Sequence, residues 1–174
     1  MAKTSNKRPS RKVTEKKVAE HGCWTVWRGK LVPPAGRPGS VMSLFKVVAE
    51  KIPFDCLRPV EYDMKDEGLP RTGIYLAHDS MGAVRYAGRG SIFSRLAARK
   101  KAQPLQLHYF SFYVVPDKKH EREIETLVIR ATSHLLDFDE RKKHPTIEPG
   151  SIRDYEGGTW FYERQRKKGK KTGG

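Results

Sequence analysis

Hydrophobic and polar positions along this chain change period several times, and each change marks an element. Cys23-Trp24-Thr25-Val26-Trp27 alternates and reads as a strand. Ser43 to Ile52 places Leu44, Val48 and Ile52 at every fourth position ahead of Pro53, the pattern of a short helix. Thr72 to Ala77 and Ala83 to Gly88 read as the two strands of a hairpin. Ser91 stands as N-cap of a helix from Ile92 to about Lys101, and Pro104 opens a β-rich run, Leu105 to Val115. Asp117 is placed to cap a second helix, from about Lys118 to Leu136, with Ile124, Leu127, Val128, Ala131 and Leu135 along one face. Gly158-Thr159-Trp160-Phe161-Tyr162 offers one more short strand. The stretches around Pro33-Pro34, from Gly36 to Gly39, and from Asp63 to Pro70 read as loops.

From Thr72 onward the order is β-β-α-β-α. That order predicts an α+β fold: a small three-stranded, mainly antiparallel sheet flanked by helices, with N- and C-terminal extensions. Residues 1–19, rich in Lys, Arg, Ser and Thr, read as a basic tail that is disordered alone. Residues 20–71 read as an N-terminal extension packing on the core or on a partner, 72–143 as the core, and 144–174 as a C-terminal extension ending in a second basic tail. Within the hairpin, a two-residue turn at Ser80-Met81 would pair Asp79 with Gly82, and therefore Tyr75 with Tyr86. Directly opposed side chains share a face, with Cβ atoms about 5 Å apart. Taken alone, two such phenols are an aromatic pair that stabilises a sheet.

Charge changes the picture. The chain carries 35 Lys and Arg against 20 Asp and Glu, a net charge of +15 over 174 residues. An excess of that size attracts polyanions, which makes nucleic acid the first partner to expect. No apolar run approaches spanning length, and no basic helix with a wide apolar face points to a membrane surface. Cys23 and Cys56 stand far apart without a CxxC partner, so neither a zinc site nor a disulfide framework is indicated. Met1 to Lys17 lacks the apolar core of a secretion signal, and a cytoplasmic location is expected.

Several short strings follow one another in a telling order. Gly73-Ile74-Tyr75 is followed by Tyr86-Ala87-Gly88, then by Arg95 in a helix, then by Glu125 in Glu125-Thr126-Leu127-Val128-Ile129-Arg130. Over Thr72 to Lys143 the chain resembles the GIY-YIG nuclease family, with Tyr86-Ala87-Gly88 differing from the usual second signature by one conservative change. The resemblance implies a Mg²⁺-dependent DNA endonuclease of restriction-like or mobile-element type. Tyr75, Tyr86, Arg95 and Glu125 are its catalytic residues, and Glu125 is the ligand of Mg²⁺, for which Mn²⁺ can substitute. One tyrosine would activate water and the other orient water or phosphate; which does which stays open. A free phenol titrates near ~10, so metal-bound water or Arg95 must assist. Arg95 also offers phosphate a planar fork.

Further positions follow from the same resemblance. His108 lies where some members use a histidine to assist the tyrosine. Asp137 falls at a position usually held by asparagine, and an ionised aspartate accepts hydrogen bonds but does not donate them; Asp139 is the alternative alignment. Glu121 shares the helix flank of Glu125, and spacing does not choose between them; the family pattern chooses Glu125. Arg89, Arg99, Lys100 and Lys101 are candidate DNA contacts. The expected partner is duplex DNA, ahead of RNA. Cutting both strands would need two copies on DNA or successive turnovers. The competing reading keeps the fold and loses the chemistry: a catalytically impaired nucleic-acid-binding protein, suggested by Asp137 and the basic ends.

Overall fold

The computed structural model describes residues 12–31, 43–132 and 157–167. They build one seven-stranded mixed sheet and three α-helices. The strands are β1 (Lys12–His21), β2 (Trp24–Leu31), β3 (Val47–Pro53), β4 (Thr72–His78), β5 (Val84–Ser91), β6 (Tyr109–Val114) and β7 (Trp160–Arg166). The helices are α1 (Leu57–Asp66), α2 (Ile92–Ala102) and α3 (Lys118–Ala131). Strand order is β1-β2-β7-β3-β6-β4-β5; every neighbouring pair is antiparallel except β3 with β7, which is parallel. Among the described residues no helix is long and apolar enough to cross a membrane.

The small three-stranded sheet is therefore corrected. β4, β5 and β6 are adjacent as expected, but four more strands continue the sheet from β6. Two of them fall where other states were expected. β1 begins at Lys12, inside the stretch read as a disordered tail; polar side chains suit an edge strand that faces water along one side. β3 replaces the helix read over Ser43 to Ile52. A spacing of four satisfies a strand as well as a helix, and the β-branched Val47, Val48 and Ile52 favour the strand. From Ala49 to Ile52, β3 spans only the two-residue step from Phe112 to Phe110 on β6, so one residue is extra. Lys51 absorbs that bulge at φ +50°, and its N–H, out of the ladder, donates to Ser111 Oγ at 2.9 Å. Val47, Ala49 and Ile52 all reach the core as a result.

Helix α1 runs into the first half, Asp63 to Asp66, of the stretch read as a loop from Asp63 to Pro70. Pro59 sits in its first turn, where a missing N–H removes no helical bond. Gly68, at φ +62°, closes the helix: its N–H donates to Lys65 O at 3.1 Å and Leu69 N–H to Met64 O at 2.8 Å, the paired bonds of a left-handed glycine cap. Asp117 caps α3 as expected, accepting from Lys119 N–H at 2.8 Å. The last residues expected in that helix, up to Leu136, lie outside the described residues.

Two apolar clusters locate the layers. On one face, Tyr75, Ala77, Tyr86, Phe110 and Phe112 pack with Leu57, Val60 and Met64 of α1 and Ile92, Phe93 and Leu96 of α2. On the other face, Leu76 and Ala87 pack with Ile129 of α3. The β4–β5 end of the sheet is thus held between α2 and α3, and β5 is an edge strand among the described residues.

Candidate active site at the β5 edge

The hairpin pairs Tyr75 with Gly88 and Ala77 with Tyr86, not Tyr75 with Tyr86. The expected two-residue turn is replaced by a wider one. Asp79 N–H donates to Ala83 O, Gly82 N–H to Asp79 O, and the Asp79 carboxylate accepts from Met81 and Ala83. The widening shifts the register by an even step, so both tyrosines keep the same face as diagonal neighbours. Their rings stack at 5.8 Å between centroids, and their hydroxyls approach to 3.4 Å, a long hydrogen bond. Gly88 makes this possible: a Cβ there would lie 2.7 Å from Tyr75 Oη and 2.9 Å from its Cζ. The Tyr75 ring therefore crosses β5 over Gly88, toward the sheet edge.

The guanidinium on this pair is that of Arg99. Its Nη2 donates to Tyr86 Oη at 3.3 Å, and its Cζ stands 4.1 Å from the centre of the Tyr86 ring. Arg95, one turn earlier on α2, is exposed and close enough to act on Tyr75 by charge. Tyr75 is 2 % exposed and Tyr86 8 %. Burial pushes the Tyr75 phenol up from its ordinary range; the Tyr86 hydroxyl adds to this, and Arg95 and Arg99 oppose it. Sequence reading gave Arg99 to DNA and missed its place on the tyrosine. The signal was present in the four-residue step from Arg95, which puts both cations on one helix face.

Glu125 lies across the sheet from the tyrosines. Arg89 is paired with Ile74, one residue out of step with the Tyr75–Gly88 pair, so its side chain leaves the opposite face. There its Nε meets Glu125 Oε2 at 2.8 Å, and its Nη1 lies 4.0 Å from Glu121 Oε1. The expected apolar stripe of α3 is rotated: Leu127 is 41 % exposed, while Glu121, Glu125, Thr126 and Ile129 are buried. Two phenols with Arg99 on one face, and Glu125 with Arg89 on the other, thus flank the same few residues of an edge strand.

The remaining candidates are placed less centrally. The exposed His108 imidazole donates from Nε2 to Leu105 O at 3.1 Å, in the loop ahead of β6. Lys100 Nζ donates to Pro104 O and Leu107 O at 2.7 and 2.6 Å, tying down that same loop. Lys101 is exposed. Asp137 and Asp139 lie outside the described residues. Among the described residues no group of three or more His, Cys, Asp or Glu gathers as a metal cage. The donor set present is one carboxylate at the strand edge, with a second beside it. That suits a hard ion such as Mg²⁺, which keeps most of its waters and takes one or two carboxylates together with substrate phosphate.

No family model, no curated protein and no solved structure matches the chain. The functional reading therefore rests on the residues and their geometry.

Proposed function

We propose that the chain is a Mg²⁺-dependent endonuclease that hydrolyses phosphodiester bonds of duplex DNA at the β5 edge, in the cytoplasm. The observation that carries this is the Tyr75–Tyr86 hydroxyl contact with the Arg99 guanidinium against Tyr86. A merely structural aromatic pair does not need a cation aimed at its oxygen.

In this reading the roles divide by burial and partner. Tyr75, whose burial opposes ionisation, keeps its proton and donates to Tyr86 Oη. Tyr86, less buried and facing Arg99, is the general base: it acts as the phenolate and becomes the neutral phenol on taking a proton from the attacking water. Arg99 steadies the negative charge that develops between Tyr86 and the phosphate. Arg95, exposed on the next turn, receives a phosphate oxygen. Glu125 would hold the Mg²⁺, whose charge when bound polarises the phosphate and eases departure of the leaving oxygen. The net charge of +15 supplies a sequence-independent grip that weakens as salt rises.

Supercoiled plasmid incubated with wild type, Tyr86→Phe and Glu125→Gln, in Mg²⁺ or EDTA, tests this. Mg²⁺-dependent nicking that both substitutions abolish is the expected result. A second reading, a binding protein without catalysis, is favoured by the ion pair that already engages Glu125. Tight binding by wild type with no nicking, on supercoiled and linear duplexes of varied sequence, would establish that second reading instead.

A further inference from the structure

Glu121 and Glu125 face the sheet with side chains 2 % and 5 % exposed. Ionised carboxylates so far from water require a cation. Arg89 reaches both, Glu125 Oε2 at 2.8 Å and Glu121 Oε1 at 4.0 Å, and at 38 % exposure it stands between them and solvent. Lys118 approaches Glu121 from the first turn of α3 at 3.3 Å, but it is 74 % exposed and belongs to the helix surface. A divalent ion bound to Glu125 Oε2 would share the oxygen that Arg89 Nε now holds. Two cations at contact distance from one oxygen repel, so each weakens the other's hold. Arginine has a second anion to go to: its fork fits a phosphodiester as well as a carboxylate.

We propose that Arg89 is an internal stand-in for the divalent ion, releasing Glu125 when a phosphodiester takes its guanidinium, so that metal and nucleic-acid binding are linked. The inference rests on the endonuclease reading above for the identity of its two ligands. In the free protein Arg89 on Glu125, with Lys118 on Glu121, balances the two carboxylates and keeps the ion weakly bound. On DNA the guanidinium moves to a backbone phosphate at the strand edge, and the carboxylates become available. Linkage is reciprocal: whatever factor DNA adds to metal affinity, metal adds to DNA affinity.

The probe is Mn²⁺ alone, followed by loss of the free-ion paramagnetic resonance signal, with and without a short duplex. A Tyr86→Phe background keeps the duplex intact. With Arg89 present, duplex should tighten Mn²⁺ binding by about tenfold, within the ordinary range of such couplings. Arg89→Gln should bind Mn²⁺ about tenfold tighter without DNA and lose the response to duplex. Arg89→Lys, a point charge that cannot span both carboxylates, should fall between. Adding Glu125→Gln to Arg89→Gln should erase the gain.

Because Arg89→Gln strips a cation from buried carboxylates, melting is followed beside binding: Mn²⁺ should raise its Tm more than that of the Arg89 protein. Equal Mn²⁺ affinities with and without Arg89, equal affinities with and without duplex, or equal Tm increments would each overturn the stand-in. Linkage without nicking would remove only the endonuclease reading; nicking without linkage would remove only the role of Arg89.

Discussion

Replacing Gly88 by alanine puts a methyl carbon against the phenol of Tyr75. The new Cβ would stand 2.7 Å from Oη, 2.9 Å from Cζ and 3.3 Å from Cε2, all inside van der Waals contact. Tyr75 is packed among core side chains and cannot swing into solvent, so the ring and its neighbours must shift together. Overpacking of this kind destabilises by about 1–3 kcal/mol. A catalytic group displaced by about 1 Å loses about a hundredfold in rate. Urea unfolding of wild type, Gly88→Ala, Tyr75→Phe and the double variant measures the first effect; plasmid nicking measures the second. Tyr75→Phe removes the atom at 2.7 Å but leaves the one at 2.9 Å. The double variant should therefore recover part of the loss, with a coupling of about 0.5 kcal/mol or more. If Tyr75 stood opposite Tyr86, Gly88 would lie away from the ring. A Gly88→Ala protein within about 0.3 kcal/mol of wild type, with additive effects, would refute the register and the path of the tyrosine with it.

Other outcomes follow from separate parts of the molecule. Arg99→Ala should lower nicking by about 10²-fold or more, since it removes the donor on Tyr86 Oη. Arg95→Ala should weaken binding and lessen its salt dependence, since it removes one phosphate contact, and Arg99→Lys should recover only part of the activity; equal nicking by Arg99→Ala and wild type would remove Arg99 from the chemistry. Stability should fall on acidification through His78, whose imidazole, 3 % exposed, bonds Ser111 Oγ at 2.8 Å and Gly82 O at 3.2 Å. Burial holds its pKa down, from 6.5 to about 4. The unfolded chain then binds the proton first, so the contribution is complete above about pH 6.5 and is lost toward pH 4. Between pH 7 and 5 this amounts to about 2 kcal/mol, read as the difference in urea midpoints between wild type and His78→Gln; identical pH dependence in the two would contradict it.

The sequence carried the hairpin, α2, α3 and β6 because their signals are local: alternation, an aspartate cap, a proline at a boundary. Of the four strands that extend the sheet it carried β2 and β7 as short alternating runs, missed β1 and β3, and placed none of them in the sheet. β3 and β7 meet in parallel although most of the chain separates them, and no local pattern encodes that meeting. The tyrosines were placed on one face for a reason that survived a wrong register, since an even shift preserves facing. The rotation of α3 was illegible for a different reason. Apolar spacing pointed Leu127 inward, whereas Glu125 is buried against Arg89, a partner on another element.

β7 is the only described strand that joins the β1–β2 hairpin to the rest of the sheet, filling the slot between β2 and β3. During synthesis the first two strands emerge long before their neighbour exists, while β3 to β6 and the helices between them can already associate. The ribosome thus holds an unfinished sheet with two raw flanks until residues 160–166 appear. Anything that delays that last segment prolongs exposure of both flanks at once, which makes it the step where chaperones have most to offer this chain.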